Sequence, residues 1–261
     1  MSDAPHRARK RFGQHFLHDP GILRRIVDAI APQPGQRIVE IGPGEGALTL
    51  PLLRAAGALT AIELDRDLIE PLRDKARGVG ALIIVNADVL TVDLSALAQG
   101  TPIRLVGNLP YNISTPILFH CLEHATTITD MHFMLQKEVV ERMAAAPGSK
   151  TYGRLSVMLQ LRCAVEPLLR VPPGAFRPPP KVDSAVVRLA PLPPGQLPDV
   201  DFASIERIVR AAFGQRRKTL GNALSGVMDT AAITAAGIDA RARAEQLAPA
   251  AFVALAKHVR A

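Results

Sequence analysis

In the stretch Val39-Glu40-Ile41-Gly42-Pro43-Gly44-Glu45-Gly46-Ala47, an apolar run stops at a glycine-rich turn and a helix-forming segment follows. Glycines at such a turn let the backbone approach a ligand closely and let helix meet strand. Gly42, Gly44 and Ala47 satisfy the G-x-G-x-x-G/A spacing of dinucleotide sites, a pattern that a plain tight turn also produces. Outward from this turn, strand-length apolar runs alternate with amphipathic segments. Strands are expected at Arg37–Ile41, Leu59–Leu64, Leu82–Val85, Ile103–Gly107 and Met131–Leu135. Helices are expected at Gly46–Ala56, Asp67–Arg77, Ser114–His124 and Lys137–Ala145. Strands apolar on both faces and joined by helices predict an α/β fold with a parallel, doubly wound sheet. Ala185–Leu189, after Pro178-Pro179-Pro180, suits a late hairpin at the sheet edge.

Upstream of the turn, Asp19 can cap a helix and Pro20 suits its first position, with Ile22, Ile26, Val27 and Ile30 on one face. Downstream, Pro191-Leu192-Pro193-Pro194-Gly195 interrupts regular structure. The expected organisation is a basic arm over 1–18, a sheet domain over 19–190, a proline-rich linker over 191–200 and a small helical domain over 201–261. In the last, Ile205, Ile208, Val209, Ala212 and Phe213 form one apolar face, and Phe252, Leu255, Ala256 and Val259 another.

The 261 residues are 48% hydrophobic, which supports a sizeable core and excludes a disordered chain. Two cysteines exclude a disulfide scaffold and fit a reducing cytoplasm. The basic N-terminus leads into no apolar segment like a signal peptide's, and the apolar runs are strand-length, so no membrane partner is expected. A net charge of +7 fits a polyanion partner without naming one.

Charge narrows the ligand of the glycine turn. Glu40 and Glu45 flank it, and a pyrophosphate there would face two carboxylates. S-adenosylmethionine carries an ammonium and a sulfonium and no phosphate, which suits an acidic turn. Glu45 also reads as a helix-start acid favoured by the dipole. Glu63 follows roughly twenty residues after Gly42, where an acid accepts hydrogen bonds from ribose hydroxyls. Asp65 reads as a helix cap. Asp88 is placed either to accept from an adenine amino group or as an ordinary loop acid.

Gly107-Asn108-Leu109-Pro110-Tyr111-Asn112-Ile113-Ser114 ends the fourth strand, on the same sheet edge as the glycine turn. An exocyclic base amine is a poor nucleophile because its lone pair is delocalised into the ring. The Asn108 side-chain oxygen and the Leu109 carbonyl are candidates to hold its two N–H groups and free the lone pair. Pro110 stiffens the turn, and Tyr111 offers a flat face for an extruded base. An Asn turn before proline, with Tyr111 as packing, is the structural alternative.

These stretches, together with Lys10-Arg11-Phe12-Gly13-Gln14-His15-Phe16-Leu17, Leu135-Gln136-Lys137-Glu138-Val139, Phe176 to Val187 and Gln215-Arg216-Arg217-Lys218-Thr219-Leu220, resemble the ribosomal RNA adenine dimethyltransferase family, most of all its bacterial small-subunit branch. The resemblance runs from the arm into the helical domain. It implies a Rossmann-like methyltransferase domain with a C-terminal helical domain. It also implies methyl transfer from S-adenosylmethionine to N6 of two adjacent adenosines near the 3′ end of 16S rRNA, with S-adenosylhomocysteine as by-product, during small-subunit biogenesis. Family donor positions fall on His15, Leu17, Gly42, Glu63, Asp88 and Asn108, with Gly44 in the same turn. The first of these is commonly Asn in the family and is His here. Phe176 falls on the family's second aromatic wall for the base, while the residues alone read equally as core packing before a proline turn.

Arg216, Arg217 and Lys218 stand near a helix start, where cations oppose the dipole, so they read as phosphate contacts, with a solvated basic face as the alternative. Arg7, Arg9, Lys10 and Arg11 read as a second RNA contact or as a solvated tail. His120-Cys121-x-x-His124 lacks the further ligands of a tetrahedral site, so no metal is expected. Cys163 reads as core. The expected partner is the small ribosomal subunit, met by a monomer in the cytoplasm. A large-subunit adenine methyltransferase, an RNA-binding assembly factor and a nicotinamide oxidoreductase are the rival readings.

Overall fold

The computed structural model describes residues 15–215 and 217–259. The chain divides into two compact units, the first ending at Val140 and resuming over Glu166–Pro191, the second comprising Glu141–Val165 and the chain from Leu192 onward.

The first unit is built on a sheet. β1 (Phe16–Leu17) and α1 (Pro20–Ile30) precede β2 (Ile38–Ile41). Then come α2 (Thr49–Ala56), β3 (Ala58–Ile62), α3 (Ile69–Ala76), β4 (Ala81–Val85), α4 (Leu94–Ala98), β5 (Ile103–Asn108), α5 (Ser114–Glu123) and β6 (Ile128–Gln136). After α6 (Lys137–Met143) and α7 (Arg154–Gln160) come β7 (Cys163–Val171), β8 (Phe176–Arg177) and β9 (Ser184–Pro191). Among the described residues the main sheet has the order β4-β3-β2-β5-β6-β9-β7, and β1 pairs with β8 apart from it. Strands β2 to β6 are parallel, and β9 runs antiparallel to β6. The winding reverses between β2 and β5, and in open α/β sheets that reversal leaves a crevice at the carboxyl ends of the strands.

Local chemistry sets α1 as its sequence implies. Asp19 Oδ1 accepts from Ile22 N at 2.9 Å and Pro20 occupies the first turn. Ile26 and Ile30 are buried in a cluster with Ile38, Val106 and Val186. The other end of α1 is held by a buried cation. Arg104 donates to Ile30 O at 2.7 Å and to both Asp130 oxygens, at 2.8 and 3.1 Å. Burial opposes the Asp130 charge, but the bonds and charge of Arg104 outweigh it and hold this carboxyl below its usual range.

The second unit packs α8 (Phe202–Gly214) and α11 (Pro249–Ala256) with α7, alongside the short helices α9 (Leu220–Ala223) and α10 (Thr230–Ala235). Its core stacks Phe213 on Phe252 at 5.6 Å and sets Tyr152 edge-on to Phe213 at 6.1 Å. The Tyr152 hydroxyl donates to Leu247 O, which satisfies it in the interior.

Three sequence expectations change. Residues 141–165 join the helical unit rather than the sheet domain, because α7 is apolar on nearly every side and needs the helices for cover. The glycine turn extends to Leu48 and the helix starts at Thr49, since Gly42, Gly44 and Gly46 all have positive φ, which no right-handed helix contains. Ala185–Leu189 lies in β9 inside the sheet rather than at its edge, where β7 stands instead; β7 lacks a clear strand pattern because Pro167 interrupts it, which a strand at the sheet's end tolerates.

Removing the Arg104 cation leaves Asp130 charged and underpaired. Arg104→Leu is expected to cost about 3 kcal/mol in urea unfolding, and Arg104→Leu combined with Asp130→Leu to recover most of it. An additive loss in the double variant would show that the two residues act separately.

Candidate active site

A cavity of about 300 Å³ opens where β2 and β5 end. The turn after β2 forms one wall. Gly44 N donates to Glu63 Oε2 at 3.1 Å, and Gly42 N to Ile62 O at 2.9 Å, so the turn is tied to the end of β3. Close approach makes Gly44 necessary: a Cβ there would lie 3.0 Å from the Phe16 ring, at a φ of +56° that favours glycine. Glu63 stands one residue beyond β3. Its other oxygen accepts from Asp65 N at 2.8 Å, and burial, partly offset by these bonds, raises its pKa. Asp88 lines the cavity while its Oδ1 caps the following turn through Leu90 N at 3.0 Å.

The opposite wall is the Asn108–Tyr111 segment. Asn108 Nδ2 donates to His15 O at 2.9 Å. That bond takes one of the two Nδ2 hydrogens and orients the amide, leaving Oδ1 available to a ligand. Leu109 N is taken by Met134 O at 3.1 Å, leaving its carbonyl as the second acceptor. The Tyr111 hydroxyl bonds Ser184 Oγ at 2.6 Å, and burial raises its pKa against the pull of that bond. Its ring stacks on His15 with centroids 5.6 Å apart and planes at 26°. His15 Nδ1 in turn bonds Pro178 O at 2.8 Å. One residue thus joins β1, the Asn108 segment and the proline turn.

The cavity is acidic. Glu40, Glu45, Glu63, Asp65 and Asp88 line it, and no lysine or arginine does among the described residues. Glu40 is 2% exposed and its Oε2 has no hydrogen-bond partner. Burial drives its pKa from 4.5 to about 7, with the Thr49 hydroxyl pulling back and the Glu63 charge adding to the rise. An unsatisfied buried carboxylate in an acidic lining fits a cationic ligand and opposes a pyrophosphate.

His15, Leu17, Gly42, Gly44, Glu63, Asp88 and Asn108 through Tyr111 all line this one cavity. Phe176 does not. It is 1% exposed, paired with Leu17 across β1 and β8 and packed in the core, so it has no open face for a base. Of the basic cluster, Arg217 and Lys218 are exposed in the turn between α8 and α9. Arg7, Arg9, Lys10, Arg11 and Arg216 lie outside the described residues. His120 and His124 bond Val92 O and Ser95 Oγ, both at 2.9 Å. Sequence reading gave no role to Phe16, Ser184 or His132, which contact or line the site. The polar alternation Asp130-x-His132 inside an apolar strand is the signal that marks the last of these.

A switch-point crevice with an acidic glycine turn, facing an Asn-Leu-Pro-Tyr segment, defines a Rossmann-like, S-adenosylmethionine-dependent methyltransferase. Residues 5–260 match the family model described as ribosomal RNA adenine dimethylase. The chain is 64% identical over 249 residues, 95% of either protein, to ribosomal RNA small subunit methyltransferase A of Xanthomonas campestris pv. campestris, and equally so to that of Xanthomonas oryzae pv. oryzae. Its fold is similar to a dimethyladenosine transferase from Plasmodium falciparum (TM-score 0.77, 26% identity, 92% of this chain and 96% of that one). It is similar also to the 23S rRNA methyltransferase ErmE (TM-score 0.72, 29% identity, 94% and 99%). The chain belongs to the ribosomal RNA adenine dimethylase family.

The raised Glu40 pKa fixes the sign of a stability effect. Folding favours the neutral acid, so its contribution is full below pH 4.5 and is lost as pH rises through about 7. Over that range the loss is about 3 kcal/mol. Glu40→Gln is therefore expected to be more stable than wild type at pH 8 and closely matched at pH 4, measured by urea unfolding. Equal stability at both pH values would mean that Glu40 is solvated.

Proposed function

We propose that this chain transfers methyl groups from S-adenosylmethionine to N6 of two adjacent adenosines near the 3′ end of 16S rRNA, giving N6,N6-dimethyladenosine during small-subunit biogenesis. The orientation of Asn108 carries this reading: its NH2 is anchored on His15 O, which leaves the Oδ1 acceptor to a cavity that also holds an acidic glycine turn. An acceptor is what an exocyclic amine requires, and acids are what a cationic donor requires. The 64% identity to relatives named for the small subunit, against 29% to ErmE, favours the small subunit over the large.

The donor-holding residues are His15, Leu17, Gly42, Gly44, Glu63 and Asp88, with Asn108 bordering both ligands. Bound there, S-adenosylmethionine supplies an electrophilic methyl carbon. For the first transfer, Asn108 Oδ1 and the Leu109 carbonyl would accept hydrogen bonds from the two N6–H groups and turn the lone pair toward it, with S-adenosylhomocysteine as the leaving group. Pro110 keeps the two acceptors at a fixed spacing. Tyr111, tethered by Ser184, carries the base on its ring face. Catalysis is orientation, and no residue need act as a strong base, because the methylated ammonium is acidic and loses its proton readily. No metal enters this scheme. Arg217, Lys218 and the basic residues 7, 9, 10, 11 and 216 hold RNA phosphates. The working form is a monomer meeting immature small subunits in the cytoplasm.

The test is methyl transfer from labelled donor to undermethylated small subunits, with large subunits and naked rRNA in parallel. Dimethyladenosine confined to small subunits is expected, and label in large subunits would assign the other branch. Asn108→Ala is expected to retain subunit binding and lose transfer by at least about 100-fold. Loss of binding alongside transfer would make Asn108 structural.

A further inference from the structure

Below the reacting centre the cavity continues into the sheet. On one face of neighbouring strands, Glu40 pairs in register with Val106, and Val106 with His132. Asn108 and Met134 form the next row on that face, two residues on, so His132 lies about 7 Å beneath the Asn108 row. Both Glu40 and His132 line the cavity. The His132 side chain is fully buried, and neither ring nitrogen has a hydrogen-bond partner. Asp130 Oδ1 lies 3.8 Å from Nδ1, beyond hydrogen-bond reach, and that oxygen accepts from Arg104 Nε at 2.8 Å. Burial, outweighing the pull of Asp130, lowers the His132 pKa to about 4, so the ring is neutral at physiological pH with one N–H to give and one lone pair to fill. Buried polar atoms are rarely left unsatisfied, and a polar site opening on a cavity satisfies them with water. Only the short Val106 separates His132 from the unpartnered Glu40 oxygen in this row. Two strand spacings of about 4.8 Å lie between them, a gap that one or two waters bridge.

We propose that His132 is a positioning residue for the methyl donor: with Glu40 it forms a buried, hydrated well beneath Asn108, and by hydrogen-bonding the water there it aims the Glu40 carboxylate at the donor's ammonium. The proposal rests on the donor site described above and adds to it the way a deeply buried acid is kept oriented. The charged groups facing His132 are Asp130 on its own strand, Arg104 on β5, Arg188 on β9 and Glu166 on β7. Those facing Glu40 are Glu63 and, uncharged, Thr49. From α1, Ile26 lines the same cavity and brings no charge.

Two probes separate this role from packing. S-adenosylhomocysteine carries the ammonium, and 5′-methylthioadenosine shares the nucleoside and thioether but lacks it. Calorimetric titration of the full chain at pH 8 is expected to show His132→Leu binding S-adenosylhomocysteine about tenfold more weakly. Its affinity for 5′-methylthioadenosine should be unchanged, and His132→Gln, which keeps a donor and an acceptor, should restore the difference. Equal weakening of both ligands, or no weakening of either, would overturn the proposal. If His132→Leu does not fold, the imidazole nitrogen resonances of wild type decide: a shift with S-adenosylhomocysteine and none with 5′-methylthioadenosine is expected, and the same response to both overturns it. If wild type binds neither ligand, the donor site itself is wrong, a result distinct from either outcome above.

Discussion

Gly107 is where two strands are allowed to come together. A Cβ at this position would stand 2.5 Å from Ile41 O on the neighbouring strand, closer than any real contact of that kind. Ile41 and Gly107 are register partners at the carboxyl ends of β2 and β5. The residues that follow them are the glycine turn on one strand and the Asn108 segment on the other. Every functional contact described above depends on those two loops leaving the sheet side by side, and a side chain at Gly107 would part them.

Around that junction the structure spends stability on charge. Arg104 and Asp130 are buried, but each answers the other, and Arg104 also donates to the Ile30 carbonyl at the end of α1. Glu40 and His132 are buried with hydrogen-bonding atoms unanswered. The first pair closes a helix end and needs nothing more. The second pair faces a cavity and calls for something polar to fill it. That contrast separates structural polar groups from those of the site more sharply than burial alone, since all four residues are scarcely exposed.

Much of the site was legible because its chemistry is local. The glycine turn and the Asn108–Tyr111 segment are continuous stretches, and the acids around the first and the tyrosine in the second add to each what a plain turn does not need. The acids at 63 and 88 follow from the period of a β/α unit. Phe176 shows where such reading stops. An aromatic before a proline turn serves equally as a ligand wall or as core, and its pairing with Leu17 through β1 and β8 is a contact between distant stretches. Residues 141–165 illustrate the same limit, since an apolar helix declares that it is buried without declaring against what.

The sequence by itself determined the alternation of strands and helices, the acidic glycine turn and the family, because these rest on patterns within a few residues or on identity along the chain. Only the tertiary structure decided that His15 O anchors the Asn108 NH2, leaving Oδ1 to a ligand, and that His132 lies under Asn108. Those facts depend on a backbone carbonyl at position 15 meeting an amide 93 residues away. They depend too on the lateral register of β2, β5 and β6. Hydrogen bonds and strand register are set by where the chain folds back on itself, and no local spacing encodes that.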